Sequence, residues 1–66
     1  MSAFCGKDAQ GVTRTGDLYR GNISGFVCKA FGEGWTSLAI YTLDSAGPRA
    51  MGGIKNGRMW IAREAA

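Results

Sequence analysis

The chain has no histidine, one proline, two cysteines and only five acidic residues in a length of 66. Without histidine, a Cys-His nucleophile is excluded, and acid–base catalysis at neutral pH would need a pair of perturbed carboxylates. The acidic residues are instead scattered singly along the chain. A zinc site would need two carboxylates beside the two cysteines, which is an unusual ligand set. The sequence therefore predicts a protein that is not an enzyme and that has no metal or other cofactor.

Long apolar segments are also missing. No run approaches the length of a membrane span, and the N-terminus lacks the basic head and apolar core of a secretory signal. These absences predict a cytoplasmic protein with no membrane partner. In that reducing compartment we expect Cys5 and Cys28 to be free thiols, with Cys28 a small core residue; a disulfide is the alternative.

The length allows one domain, residues 1–66, with a small core. A chain of this size buries only about 60% of the surface that it exposes when unfolded. Oligomerisation is a common remedy, because it covers an apolar face that the monomer leaves open. We therefore expect a homodimer.

The positive charge is concentrated towards the C-terminus. Lysine and arginine number eight against five acids, which gives a net charge of +3. Residues 1–47 are neutral, so the whole excess lies in residues 48–66. That segment also contains Met51, Met59 and Trp60. A basic surface with flat side chains suits a polyanion that exposes its bases.

Eleven glycines divide the chain into short segments, a pattern typical of a small all-β domain. Asn56-Gly57 is the signal for a two-residue type I′ turn. Five or six antiparallel strands predict an OB-like or SH3-like barrel, with residues 1–10 allowed as a flexible N-terminal arm. Gly25 is interpreted as a bulge, 32–34 as a hairpin loop and 61–66 as a possible helical turn. The predicted strands are 11–15, 18–24, 26–31, 35–43, 51–55 and 58–62.

Two predicted hairpins, one within residues 11–24 and one within 51–62, carry basic and aromatic side chains suited to binding single-stranded nucleic acid. Arginine and lysine bind phosphates, and each base stacked on an aromatic ring contributes about 1–3 kcal/mol. Arg58 and Trp60 are two residues apart, so they share one face of a strand. A solvated rim is the alternative for the basic residues, and a core position is the alternative for the aromatic ones. The predicted binding residues are Arg14, Tyr19, Arg20, Lys55, Arg58 and Trp60.

The hairpin Gly11-Val12-Thr13-Arg14-Thr15-Gly16-Asp17-Leu18-Tyr19 resembles a segment of the single-stranded-DNA-binding proteins of filamentous bacteriophages. Tyr41-Thr42-Leu43-Asp44 is similar to a strand end that some members share, and Asn56-Gly57-Arg58 is similar to the last hairpin of others. The resemblance implies a five-stranded OB-like barrel that dimerises and coats single strands cooperatively. It also implies that Arg14 contacts phosphate and that Tyr19 stacks on a base.

These observations predict a non-catalytic protein that binds single-stranded nucleic acid, with DNA favoured over RNA. One alternative is a structural subunit of a larger particle. The main alternative is a small accessory protein of phage or plasmid type that binds and inhibits a larger protein. Residues 35–43 support that alternative, because apolar residues on both strand faces suit docking, with β-augmentation as its natural mode. The salt dependence of binding would distinguish nucleic-acid binding from docking on a protein, since an apolar docking surface loses little affinity as ionic strength rises.

Overall fold

The computed structural model describes residues 2–18, 20–44 and 47–62, which form a five-stranded antiparallel sheet with a helix on one face. The order of the strands across the sheet is β2-β1-β3-β4-β5. A short 3₁₀ turn, Arg20–Asn22, precedes the helix. In chain order the elements are β1 (Ser2–Lys7), β2 (Thr13–Leu18), α1 (Ile23–Gly32), β3 (Ser37–Asp44), β4 (Gly47–Lys55) and β5 (Arg58–Ile61).

The position of α1 follows from the connectivity. Strand β1 is antiparallel to both β2 and β3, so β2 and β3 run in the same direction on either side of it. Strands that run the same way need a crossover connection, which is usually a helix lying on one face of the sheet. Here α1 supplies the crossover and covers that face.

The core lies between α1 and strands β3 and β4. On the helix, Ile23, Val27 and Ala30 are buried, and their spacing of four and then three residues places them on one face. The sheet residues buried against them are Leu38, Ile40, Met51 and Ile54. Burial of these apolar side chains is the main force that holds the helix on the sheet.

Three rings extend this core towards β1. The ring centroids of Phe4 and Phe26 are 4.6 Å apart, and those of Phe26 and Trp35 are 5.7 Å apart with an edge-to-face arrangement. Tilted and edge-to-face contacts of this kind are favourable for aromatic pairs. The cluster therefore fixes the C-terminal part of the crossover against β1.

The helix corrects two predicted strands, 18–24 and 26–31. The alternating pattern of 18–24 runs across the end of β2, the 3₁₀ turn and the start of α1, so it belongs to no single strand. Gly25 lies inside the helix and is not a bulge.

The predicted hairpin loop at 32–34 is also wrong, since it forms the C-terminal cap of α1. Gly34 has a φ of 85°. Its N–H donates to the Phe31 carbonyl at 3.1 Å, and the Trp35 N–H donates to the Ala30 carbonyl at 3.0 Å. This is the pair of bonds that ends many helices at a glycine.

The predicted antiparallel β-sheet is confirmed, but the predicted barrel is wrong. Among the described residues, β2 and β5 pair with one neighbour each, so the sheet stays open. The reason is α1: the apolar face of the sheet is buried against the helix, and closure is not needed to cover it. Part of the proposed N-terminal arm is also corrected, because residues 2–7 form β1 between two other strands.

The turn at Asn56-Gly57 is confirmed. Asn56 and Gly57 have φ values of 53° and 75°, as a type I′ turn requires, and they join β4 to β5.

The predicted strand at 35–43 corresponds to β3. Of the helical turn predicted at 61–66, Ile61 is instead in β5, and 63–66 lie outside the described residues. No described helix is long and apolar enough to cross a membrane.

Candidate nucleic-acid interface

The face of the sheet opposite α1, termed here the open face, has no covering element among the described residues. Side chains alternate along each strand, so the neighbours of the core residues point to this face. In β3, for example, Leu38 and Ile40 are buried while Ala39 is half-buried and Tyr41 is exposed. The open face is therefore available to a ligand, whereas the other face is used to build the core.

Three cations form a line across one end of the open face, called the basic row below. Lys7 is paired with Ser37 in the sheet register, and Lys55 is paired with Arg58. Leu38 faces Ile54, which brings Ser37 and Lys55 to the same end of β3 and β4. The row of Lys7, Lys55 and Arg58 thus spans the separation from β1 to β5, about 14 Å at the usual strand spacing.

The basic row is free to act on an external anion. Lys7, Lys55 and Arg58 are all exposed, and none forms an ion pair with a residue that the structure describes. The same face carries an acid, Asp17, in β2. It pairs with Ala3 of β1 and lies at the far side of the sheet from β5. The potential of the open face is therefore positive at the end that carries the row.

Two exposed aromatic rings lie on the open face, with Trp60 nearer to the basic row than Tyr41. Trp60 follows Arg58 on the same face of β5, and Tyr41 lies on β3; their exposed fractions are 37% and 41%. Both line one shallow depression of about 360 Å³. The same depression is also lined by small side chains, namely Cys5, Ala39 and Ala50. Rings at the edge of a shallow, flat floor can accept a planar group such as a base.

Gly53 keeps this floor low. It pairs with both Ala39 and Trp60, so it lies on the strand between the two that carry the rings. Its φ is 155°, and a Cβ atom at this position would collide with the Leu38 carbonyl oxygen. The close approach of β4 to β3 at this point therefore requires glycine.

The structure brings three of the six predicted site residues together: Lys55, Arg58 and Trp60. Tyr19 lies outside the described residues. Arg20 starts the 3₁₀ turn, and its side chain is not described. The prediction that Arg58 and Trp60 share a face is confirmed.

Arg14 lies apart from the basic row. It pairs with Gly6 in the register and so points to the same side of the sheet as α1. Its Nε donates to Asp8 Oδ2 at 3.0 Å. It borders a separate hollow of about 480 Å³ whose lining includes Phe4, Phe26 and Trp35. Arg14 therefore lies on the opposite face of the sheet from Lys55 and Arg58.

Asp8 organises the loop between β1 and β2. Its Oδ1 accepts hydrogen bonds from the N–H groups of Gln10, at 2.9 Å, and Val12, at 3.0 Å. The Val12 N–H is the main cause that lowers the pKa of this carboxyl below its ordinary value of 3.8, with the Arg14 guanidinium adding to it. The ion pair to Arg14 is part of a loop closure, so a phosphate would have to compete with Asp8 for this arginine.

Sequence reasoning did not select Lys7 or Tyr41. Lys7 falls in the predicted N-terminal arm, and no short pattern in the sequence places it in the sheet. Tyr41 carried a usable signal, because its position relative to Leu38 and Ile40 in an alternating strand sets it on the opposite face. The sequence did not indicate that this face would be left uncovered.

The two cysteines lie on opposite sides of the molecule, and both are free and exposed. Cys5 is on the open face, in the depression beside Trp60, whereas Cys28 is on α1. The expectation of a core position for Cys28 is therefore wrong, and no disulfide joins the pair. The described residues contain no group of three or more side chains able to hold a metal ion.

Comparisons of the chain with protein-family models, with curated proteins and with solved structures find no match. The resemblance to the filamentous-phage proteins stays a prediction from the sequence.

Proposed function

We propose that the open face binds single-stranded nucleic acid without catalysis, with phosphates on the basic row and bases on the two exposed rings. One observation carries the proposal. An uncovered sheet face carries Lys7, Lys55 and Arg58 in a line, with Trp60 one pleat repeat from that line along β5 and Tyr41 two repeats from it along β3. Phosphate contacts supply affinity and position, and aromatic stacking accepts any base.

The separation of charges and rings fits the chemistry of a single strand. Trp60 is two residues from Arg58 along β5, a rise of about 7 Å. A strand that crosses the sheet from β1 to β5 would place its backbone along the basic row. Its bases would then lie towards Trp60 and Tyr41, over the floor of small residues. In a duplex the bases are paired and stacked on one another, so the rings could not reach their faces.

The binding test is fluorescence anisotropy with a labelled single strand of DNA, the same sequence as RNA, and the DNA duplex, each at two salt concentrations. We expect the single strands to bind more tightly than the duplex and the affinity to fall steeply with salt. Trp60→Ala and Tyr41→Ala should each weaken binding by about 1–3 kcal/mol.

Phe31→Ala is the matched control for the rings. Phe31 is an aromatic residue of α1 with 42% of its surface exposed, and it lies on the opposite side of the sheet. Its loss should leave the affinity unchanged. Equal binding of single strands and duplex, or equal losses for the three ring variants, would remove the open face as the site. Absence of binding at low salt would instead favour the protein-binding alternative.

The cysteines provide an internal measure of which face is covered. A bound strand should slow the reaction of Cys5 with a soluble alkylating reagent, since this thiol lines the same depression as the two rings. Cys28, exposed on α1, should react at the same rate with and without nucleic acid. Mass spectrometry of the alkylated peptides reads both sites in one sample, and protection of Cys28 alone would place the ligand on the wrong face.

A further inference from the structure

The two edges of the sheet differ in character. At one edge, β2 has the sequence Thr-Arg-Thr-Gly-Asp-Leu and is mostly polar. At the other edge, β5 exposes three apolar side chains in succession, Met59 by 45%, Trp60 by 37% and Ile61 by 47%. An exposed apolar edge strand is an aggregation hazard for a protein unless another strand covers it.

The hydrogen-bond phase of β5 shows which of its backbone groups face outwards. The two-residue turn is closed by Lys55 and Arg58, and paired residues alternate between hydrogen-bonded and non-bonded pairs along an antiparallel ladder. Trp60 therefore bonds inwards to Gly53, and the Ala62 N–H donates to the Met51 carbonyl at 2.9 Å. The N–H and C=O groups of Met59 and Ile61 point away from β4.

From this pattern we infer that β5 pairs antiparallel with β5 of a second copy of the chain, with the two Trp60 residues opposite each other. In this register Met59 faces the partner's Ile61, and Ile61 faces the partner's Met59. Each of these is a pair of outward-facing residues, so each forms two hydrogen bonds across the junction. No backbone group of β5 that already bonds to β4 is needed.

The side chains are self-complementary in the same register. Met59 meets the partner's Ile61 on the side of α1, while the two Trp60 rings meet on the open face. Arg58 falls opposite the partner's Ala62, so the two copies of Arg58 lie at opposite ends of the junction and do not repel each other closely. A two-fold axis perpendicular to the sheet thus matches the exposed apolar side chains of β5 with one another.

A second copy fits this edge better than a foreign strand because pairing also extends the open face. The axis keeps both open faces on one side, so two sheets join into one of ten strands. The partner's Trp60 then lies beside Trp60, and the partner's basic row lies on the same open face at the opposite end of the joined sheet. Pairing itself does not depend on nucleic acid, and it is tested without it.

Sedimentation velocity over a range of protein concentrations tests the association. We expect a reversible monomer–dimer equilibrium that goes no further than two copies. Met59→Glu and Ile61→Lys should each weaken the dimer by about tenfold or more, because each change occurs twice in the junction. Combining them in one chain should restore the dimer, since Glu at 59 then faces Lys at 61 of the partner.

Thr15→Lys is the control, because it adds a charge to the exposed edge strand β2. It should leave the dimer unchanged. A monomer at every concentration, growth into longer polymers, or single and double variants of equal effect would overturn the inference. Circular dichroism shows whether each variant is folded.

Amide hydrogen exchange provides a measurement on the unaltered chain. The Met59 and Ile61 amides should exchange more slowly as the protein concentration rises, since they become bonded in the dimer. The Thr13 and Thr15 amides, at the other edge, should exchange at a constant rate. Rates at Met59 and Ile61 that do not depend on concentration would contradict the pairing.

Discussion

The two faces of the sheet use the same strands for different purposes. In β3, Ile40 is fully buried under α1, and its chain neighbour Tyr41 is 41% exposed on the open face. The face under α1 collects the apolar side chains and the open face collects small, basic and aromatic ones. Because the two sets alternate along the chain, residues that stabilise the fold and residues proposed to bind a ligand can be altered separately.

The largest effect should come from the covered face. Ile40→Ala leaves a cavity between β3 and α1 and should lower the free energy of unfolding by about 2–5 kcal/mol. Tyr41→Ala, on the open face, should change it by only about 0.5 kcal/mol. Urea denaturation of both variants measures the difference, and a comparable loss for Tyr41→Ala would mean that the open face is also part of the core.

The next largest loss of stability should come from replacing a glycine that lies between the strands of the open face. Gly53→Ala puts a Cβ atom against the Leu38 carbonyl and should cost about 1–3 kcal/mol of stability through backbone strain. Gly25→Ala is the opposite case, since open space surrounds that position in α1. It should stabilise the protein by about 0.5–1 kcal/mol. Thermal denaturation distinguishes them by sign, and a neutral Gly53→Ala would show that β3 and β4 can move apart.

The two faces should also differ in their effect on salt dependence. Lys55→Ala removes one cation of the basic row and should reduce the slope of log affinity against log salt by about 0.7 for a single strand. Lys29→Ala removes an exposed cation from α1 and should leave the slope unchanged. Anisotropy titrations at several salt concentrations give both slopes. The same reduction for both would mean that net charge, rather than the basic row, drives binding.

The smallest effect should be the acid response of the β1–β2 loop. Because hydrogen bonds hold the pKa of Asp8 below 3.8, its ionised form stabilises the folded state. That contribution is complete above the pKa of the unfolded chain and is lost as pH falls through the lower folded value. The Val12 amide shift, followed by NMR, should therefore move below about pH 4. Asp8→Asn should abolish that titration. A titration midpoint above the ordinary aspartate pKa would mean that ionised Asp8 destabilises the folded state.

Local signals in the sequence were sufficient for the second half of the sheet. The alternation in β3 and the Asn56-Gly57 turn depend on neighbouring residues alone, so both were predicted. From them followed Lys55, Arg58 and Trp60, the part of the candidate site that lies on one hairpin.

The remainder of the fold depends on contacts between distant segments. Helix α1 is only ten residues long and contains Gly25, and the alternating residues before it imitate a strand. The spacing of its apolar residues favours a helix over a strand only when the helix can pack those residues against the sheet. Lys7 joins the basic row through the pairing of β1 with β3, whose partners are far apart in sequence. No short pattern around Lys7 carries that information.

The central position of β1 has a consequence for the order of folding. The β1–β2 hairpin and the β3–β4–β5 meander each consist of strands that are neighbours in sequence, so each can form quickly. The register of β1 against β3, from Ser2 with Thr42 to Lys7 with Ser37, must close a long loop that contains α1. Contacts of that separation slow folding. We expect the docking of the two halves to set the folding rate, and Lys7 to join the proposed binding surface only at that step.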